Sequence, residues 1–196
     1  MKDNQTKQII LNKAQKHFAL YNYSAVSLVH IAKDSGIAKS TLFHHFRSKE
    51  ELYTDVVDNI FLQLKDFLRD KSYFSGKNAQ ERILSFFNSF LVWLSQDPDR
   101  AKIIIRIQLD HPEHSRRLSK KYWGPILKFI DLNVRESNHT ASKNTRLVIL
   151  DVLNSMIHFV FSLDTHLFLF KGKSRSEVLQ TYEQQVHDSV KHMLSL

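Results

Sequence analysis

An all-α fold is what the sequence predicts, on three observations. Only four glycines and three prolines interrupt its 196 residues. Between them apolar residues recur every three or four positions, the helical period rather than the alternation of strands. A hydrophobic content of 42%, with 14 phenylalanines, is enough to give those helices a common core. The expected architecture is a three-helix head containing a helix-turn-helix, and a larger C-terminal helical bundle joined to it by a long shared helix, about nine helices in total.

The first helix is expected from Thr6 to Tyr21, with Ile10, Ala14 and Phe18 on one face, and the second from Ser27 to Ser35, with Leu28, Ile31 and Ala32 inward. A short third helix runs from Lys39 to Phe46. Ser48 opens the run S-K-E-E, in which its hydroxyl can accept from the free amides while Glu51 reaches back to the Ser48 amide, so a fourth helix starts there. Leu52, Val56, Ile60, Leu64 and Phe67 carry it to about Leu68. Further amphipathic segments run over Ala79–Ser95, Pro98–Leu109 with proline in the tolerated first turn, Ser115–Arg135, Ser142–Leu163 and Ser176–Leu194. The expected division is a head of residues 1–47 and a body of residues 48–196.

Within the head, LVHIAKDSGIAKSTLFHHF (28–46) places Ala32, Gly36 and Leu42 where a helix-turn-helix needs them. A small side chain lets two helices cross closely, a glycine accepts positive φ in the turn, and a leucine anchors the second helix. With Leu42 and Phe46 inward and about 100° per residue, Ser40 and His44 lie opposite the core, Thr41 and Phe43 lie on the flanks, and Lys39 is at the amino end. Hydroxyls and imidazoles can read base edges or phosphates, and the Thr41 methyl can meet thymine. Lys39, Arg47 and Lys49 would hold phosphates.

Charge agrees with a polyanionic partner. The net charge is +8, and the first fifty residues hold eight basic against three acidic side chains. There is no cysteine, which excludes disulfides and thiolate metal sites. The amino terminus has no apolar run of signal-peptide length and no stretch has membrane-spanning length, so the expected compartment is the cytoplasm and no membrane partner is expected.

The run from Ile9 to Leu52, ending GIAKSTLFHHFRSKEEL, resembles the DNA-binding domain of TetR/AcrR-family transcriptional regulators. The resemblance implies a homodimeric repressor on a palindromic double-stranded operator, released by a small effector. It implies backbone contact near Ser27, base or phosphate contacts at Lys39, Ser40 and Thr41, and backbone or groove contacts at Phe43, His44, His45 and Lys49. Two positions depart from the family habit: Ala38 stands where serine often caps the recognition helix, and Phe43, where tyrosine is common, cannot donate to a phosphate.

The same resemblance implies an effector cavity among the middle helices. Together with the aromatic richness of the body, it makes Phe86, Phe90, Trp93, Trp123 and His158 the candidate lining and a small lipophilic or aromatic molecule the candidate effector. Val152, Met156 and Phe159, and Val178, Tyr182, Val186 and Val190, form apolar stripes on the last two helices. The resemblance implies that these helices pair with a second copy. Activation in place of repression, and regulation without an effector, remain open.

An enzyme is not expected, and neither a cofactor nor a metal is called for. His111 and His114 flank a helix-breaking proline with no evident third ligand. Gly172-Lys173-Ser174 lacks the glycine that a phosphate loop needs five residues earlier, where Leu167 stands.

Overall fold

A computed structural model describes residues 2–70, 75–110, 123–136 and 143–195, and among them every regular element is helical. The order is α1 (Lys2–Leu20), a 3-10 turn (Tyr23–Ala25), α2 (Leu28–Asp34), α3 (Lys39–His45), α4 (Lys49–Arg69), α5 (Ala79–Gln96), α6 (Asp99–Asp110), α7 (Gly124–Glu136), α8 (Lys143–Phe161), α9 (Leu163–Leu169) and α10 (Arg175–Ser195). The amino-terminal part of the segment expected from Ser115 and the His111/His114 pair fall outside the described residues. No single described helix is long and apolar enough to cross a membrane, although α8 and α9, bent by 70°, together have the length and composition.

The head closes over the apolar row of α1. Ile10, Ala14 and Phe18 are buried beneath Ile31, Ala32, Leu42 and Phe46. Helix α2 ends by the chemistry that Gly36 permits: at φ +68° the chain turns back, so that the Gly36 amide donates to the Lys33 carbonyl (3.0 Å) and the Ile37 amide to that of Ala32 (3.1 Å). Helix α4 starts at Ser48, whose Oγ accepts from the Glu51 amide at 3.1 Å. The reciprocal bond differs from the expected one, because the Glu51 carboxylate accepts from the Arg47 amide (2.7 Å). It thereby braces the loop between α3 and α4, and Asn78 with Glu81 repeats the arrangement at the start of α5, the Lys77 amide donating at 2.7 Å.

In the body, α5 packs on α7, α8 and α10, and α6 packs on α8. Hydrophobic period predicts a continuous helix through Leu163. The structure instead breaks at Ser162, whose hydroxyl donates to the His158 carbonyl (2.7 Å) while His166 Nδ1 approaches the Ser162 carbonyl (2.9 Å). Serine bonding back one turn bends helices, and here it ends α8 at Phe161 and starts α9 (Leu163–Leu169), an element beyond the expected end at Leu163 that hydrophobic period does not assign.

Head and body are not joined through α4 alone. Helix α1 packs as closely on α6 as on α4, and three polar contacts fasten the pair. Gln15, a buried polar residue of α1, donates to Asp97 at 2.8 Å. Arg106 donates to the Leu20 carbonyl (3.2 Å), and the Tyr23 amide donates to Asp110 (3.1 Å). Between these contacts Phe18, Tyr23 and Tyr53 pack mutually edge-on or stacked, with centroids 4.9 to 6.1 Å apart.

Two outcomes are expected. At Gly36 an added Cβ meets nothing within 4 Å, so Gly36→Ala costs the left-handed backbone penalty alone, about 1 kcal/mol, read as a fall in unfolding free energy with the fold retained. Burial, and next the Asp110 carboxylate, push the Tyr53 phenol well above its ordinary range, with Arg106 opposing. The neutral phenol therefore contributes stability that is complete below the unfolded value of about 10 and is lost as pH rises further. Melting temperature measured from pH 8 upward should fall more steeply above pH ~10 in the wild type than in Tyr53→Phe.

Candidate nucleic-acid interface

Helix α3 has one fully buried residue, Leu42, and is followed by the buried Phe46; apart from His45, every other side chain of the helix is exposed or half-buried. Lys39, Ser40 and His44 are exposed, Thr41 is half-buried, and Phe43 is 39% exposed. The face expected from helical geometry is therefore the outward one. Ala38 precedes α3 in extended conformation and supplies no side-chain cap, so amides of the first turn are open to an acceptor such as a phosphate.

The cations around this helix have different tasks. The Lys39 ammonium lies 5.6 Å from the centroid of the Phe43 ring. Phe43, which cannot donate to phosphate, thus steadies the cation that can. Lys49 is partly committed elsewhere: its ammonium donates to the Ser24 carbonyl at 3.0 Å and stands 4.8 Å from the Tyr23 ring. Desolvation there lowers its pKa from the ordinary lysine value. It pins the 3-10 turn to the start of α4 and keeps its remaining hydrogens for an anion.

His45 faces inward, its Nε2 3.5 Å from Asp3 and its side chain only 7% exposed. His44 beside it is exposed and meets the His45 ring edge-on at 5.6 Å. Ser27 precedes α2 without forming a cap bond. The structure so brings Lys39, Ser40, Thr41, Phe43 and His44 onto one outward surface and leaves His45 largely beneath it.

The candidate effector residues divide in the same way. Phe86, Phe90 and Trp93 are buried on α5 and Trp123 is half-buried. Ring contacts of 5.8 to 6.4 Å connect Phe86 to Phe90, Phe90 to Trp93 and Trp123, and Phe67 to the three α5 rings. His158 is exposed on α8 with its ring 6.4 Å from that of Phe161, and no ring contact joins it to this cluster among the described residues.

Sequence reasoning missed a link between the cluster and the head. Arg100 donates to the Trp93 carbonyl and to Gln63 of α4 (3.1 Å), lies 4.6 Å from the Trp93 ring, and stands 3.6 Å from the Asp97 that holds Gln15. Burial lowers its pKa and Asp97 opposes that shift. Only the polarity of Gln15 on an otherwise apolar stripe hinted at such a partner.

Residues 10–56, the helices just described, match the family model for bacterial regulatory proteins of the tetR family. The head is therefore similar to the DNA-binding domain of that family. The uncharacterized HTH-type transcriptional regulator YhgD of Bacillus subtilis (strain 168) is 30% identical over 59 residues, 30% of this chain and 31% of that relative. Whole-chain similarity appears in solved structures. A TetR-like transcriptional regulator from Rhodococcus sp. RHA1 aligns with TM-score 0.73 at 12% identity, over 97% of this chain and 96% of the other. The fatty acid degradation regulator FadR from Bacillus halodurans aligns with TM-score 0.68 at 15% identity, over 92% and 93%. At such identities the likeness is one of fold.

If the outward surface is divided as its chemistry indicates, Lys39→Ala weakens binding to all duplexes alike and lowers the salt slope by about 1. Thr41→Ala and Ser40→Ala should instead change the ranking among sequences. Binding titrations against several duplexes at several salt concentrations distinguish the two, and identical effects would remove the division.

Proposed function

We propose that this protein is a homodimeric transcriptional repressor of the tetR family that grips a palindromic operator through α3 and releases it when a small lipophilic or aromatic molecule enters the body. The observation that carries the reading is the α3 surface: Lys39, Ser40, Thr41 and His44 face outward from a helix sealed behind by Leu42 and Phe46. Ser40 and Thr41 meet base edges, Lys39, Lys49 and the turn before α2 at Ser27 meet the backbone, Phe43 supports Lys39, and His44 reaches the groove. The +8 charge favours that polyanion, and the cytoplasm is where it acts.

Residues 1–47 form the DNA-reading part and 48–196 the effector and pairing part. The effector site lies at the ring cluster of Phe86, Phe90, Trp93 and Trp123; the fatty acid degradation regulator among the structural neighbours is in keeping with a lipophilic occupant. An occupant pressing on Trp93 displaces Arg100 and Asp97, and through Gln15 it tilts α1 and the head. Coupling is reciprocal, so operator DNA weakens the effector by the same factor.

Pairing uses the last two helices along the edge of the expected stripes, where Val152 is left half-buried. Met156, Phe159, Val178, Tyr182, Val186 and Val190 are buried within the single chain. What α8 and α10 offer a second copy is a groove of about 230 Å³ in which Val152, Tyr182 and Val186 of those stripes adjoin Val148, Asp151, Ser155, Gln185 and Ser189. Two copies so joined place two α3 helices on successive major grooves roughly 34–36 Å apart.

Selection from a random duplex library tests the reading. Two inverted half-sites spaced near one helical turn, bound about 10³-fold or more above non-specific DNA, are expected. Salt-sensitive binding with no enriched sequence would reject it.

A further inference from the structure

Away from the ring cluster of α5, a second cavity of about 290 Å³ opens between α8, α9 and α10. Its floor is buried: Phe159, Val178 and Tyr182. Phe159 and Tyr182 lie flat on one another, centroids 3.7 Å apart and planes 3° from parallel, and the His166 ring is 4.8 Å from Phe159. This floor exists because Ser162 breaks the helix and folds α9 back over α10. The rim is formed by the more exposed His166, Phe170, Lys173, Thr181 and Gln185.

The rim's polar groups are unequal. The Thr181 hydroxyl donates to the Glu177 carbonyl (2.8 Å), and the Tyr182 hydroxyl is paired with Ser155 (2.7 Å). His166 uses Nδ1 on the Ser162 carbonyl, so Nε2 is the ring atom left for a ligand. Lys173 is exposed, 5.9 Å from the Phe170 ring centroid, and makes no ion pair among the described residues. Among the described residues no carboxylate lines the cavity; nearby Glu177 holds Oε2 on the Ser174 amide and hydroxyl, both at 2.7 Å, and lies within the field of Lys173. An aromatic stack at the floor and, at the rim, a cation that makes no ion pair among the described residues suit an anion carrying an apolar ring, and the volume, at the low end of small-molecule sites (about 300–1,000 Å³), admits one ring.

We propose that the α8–α9–α10 cavity binds a single-ring aromatic carboxylate, with its ring against the Phe159–Tyr182 stack and its carboxylate on the Lys173 ammonium. The site is distinct from the effector cluster around Trp93, adjoins the proposed pairing groove, with which it shares Tyr182 and Gln185, and is independent of whether the protein has an operator.

Calorimetric titration of the full chain with benzoate, without DNA, tests it. Saturable binding is expected, weakened about tenfold or more in Lys173→Gln, abolished in Thr181→Trp, and about tenfold or more weaker for neutral benzamide. Unchanged melting temperatures of the two variants establish that they fold. Absence of saturable binding overturns the proposal, as does binding that neither variant alters, which would put benzoate elsewhere, such as the Trp93 cluster. Sedimentation of the same samples covers the remaining occupant: if benzoate does not bind and Thr181→Trp dissociates paired copies, the cavity belongs to a second copy and the proposal fails.

Discussion

Helix α1 has two faces to satisfy, and the molecule is arranged around that demand. One face, Ile10, Ala14 and Phe18, is the floor of the helix-turn-helix, without which α2 and α3 have nothing to bury Ile31, Leu42 and Phe46 against. The other packs on α6 and is pinned near its C-terminal end, by Gln15 on Asp97 and by Arg106 on the Leu20 carbonyl, with Asp110 holding the next turn through the Tyr23 amide. The orientation of α3 is therefore set by the body as firmly as by its own hairpin. A helix that belongs to two units transmits displacement between them, which is what a protein needs if events in the body are to alter contacts made by the head.

The ring cluster stands at the other end of this connection. Trp93 is at once a member of the cluster and the partner of Arg100, through its ring and its carbonyl. Arg100 also reaches Gln63 on α4, so the long helix and α1 share one polar anchor. Such a network resists small motions until its geometry is lost and then yields as a unit, because each member also satisfies a neighbour.

Local features were readable in the sequence and long-range ones were not. The burial of Ala32 and Leu42, the positive φ of Gly36, the cap at Ser48 and the outward row Ser40, Thr41 and His44 all follow from interactions within a few residues, where helical period and side-chain chemistry decide. The Glu51 carboxylate reaches one residue further back than a capping box implies, to the Arg47 amide. Helix α9 was invisible because Ser162 leaves no mark in hydrophobic period. The stripes of α8 and α10 were visible as apolar, but period cannot say which neighbour covers them; in the fold they cover one another and the body. The junction of α1 with α6 joins residues 82 to 87 positions apart, and nothing local in either segment names its partner.

Native-state hydrogen exchange compares the opening of the head with that of the body most directly. If α1 is shared as described, buried amides around Ile10 to Phe18 open with the same free energy as those of α6 around Ile103 to Ile107, and Asp97→Ala lowers protection in both segments together. Head amides that open far more readily than those of α6, and do not respond to Asp97→Ala, would contradict the account.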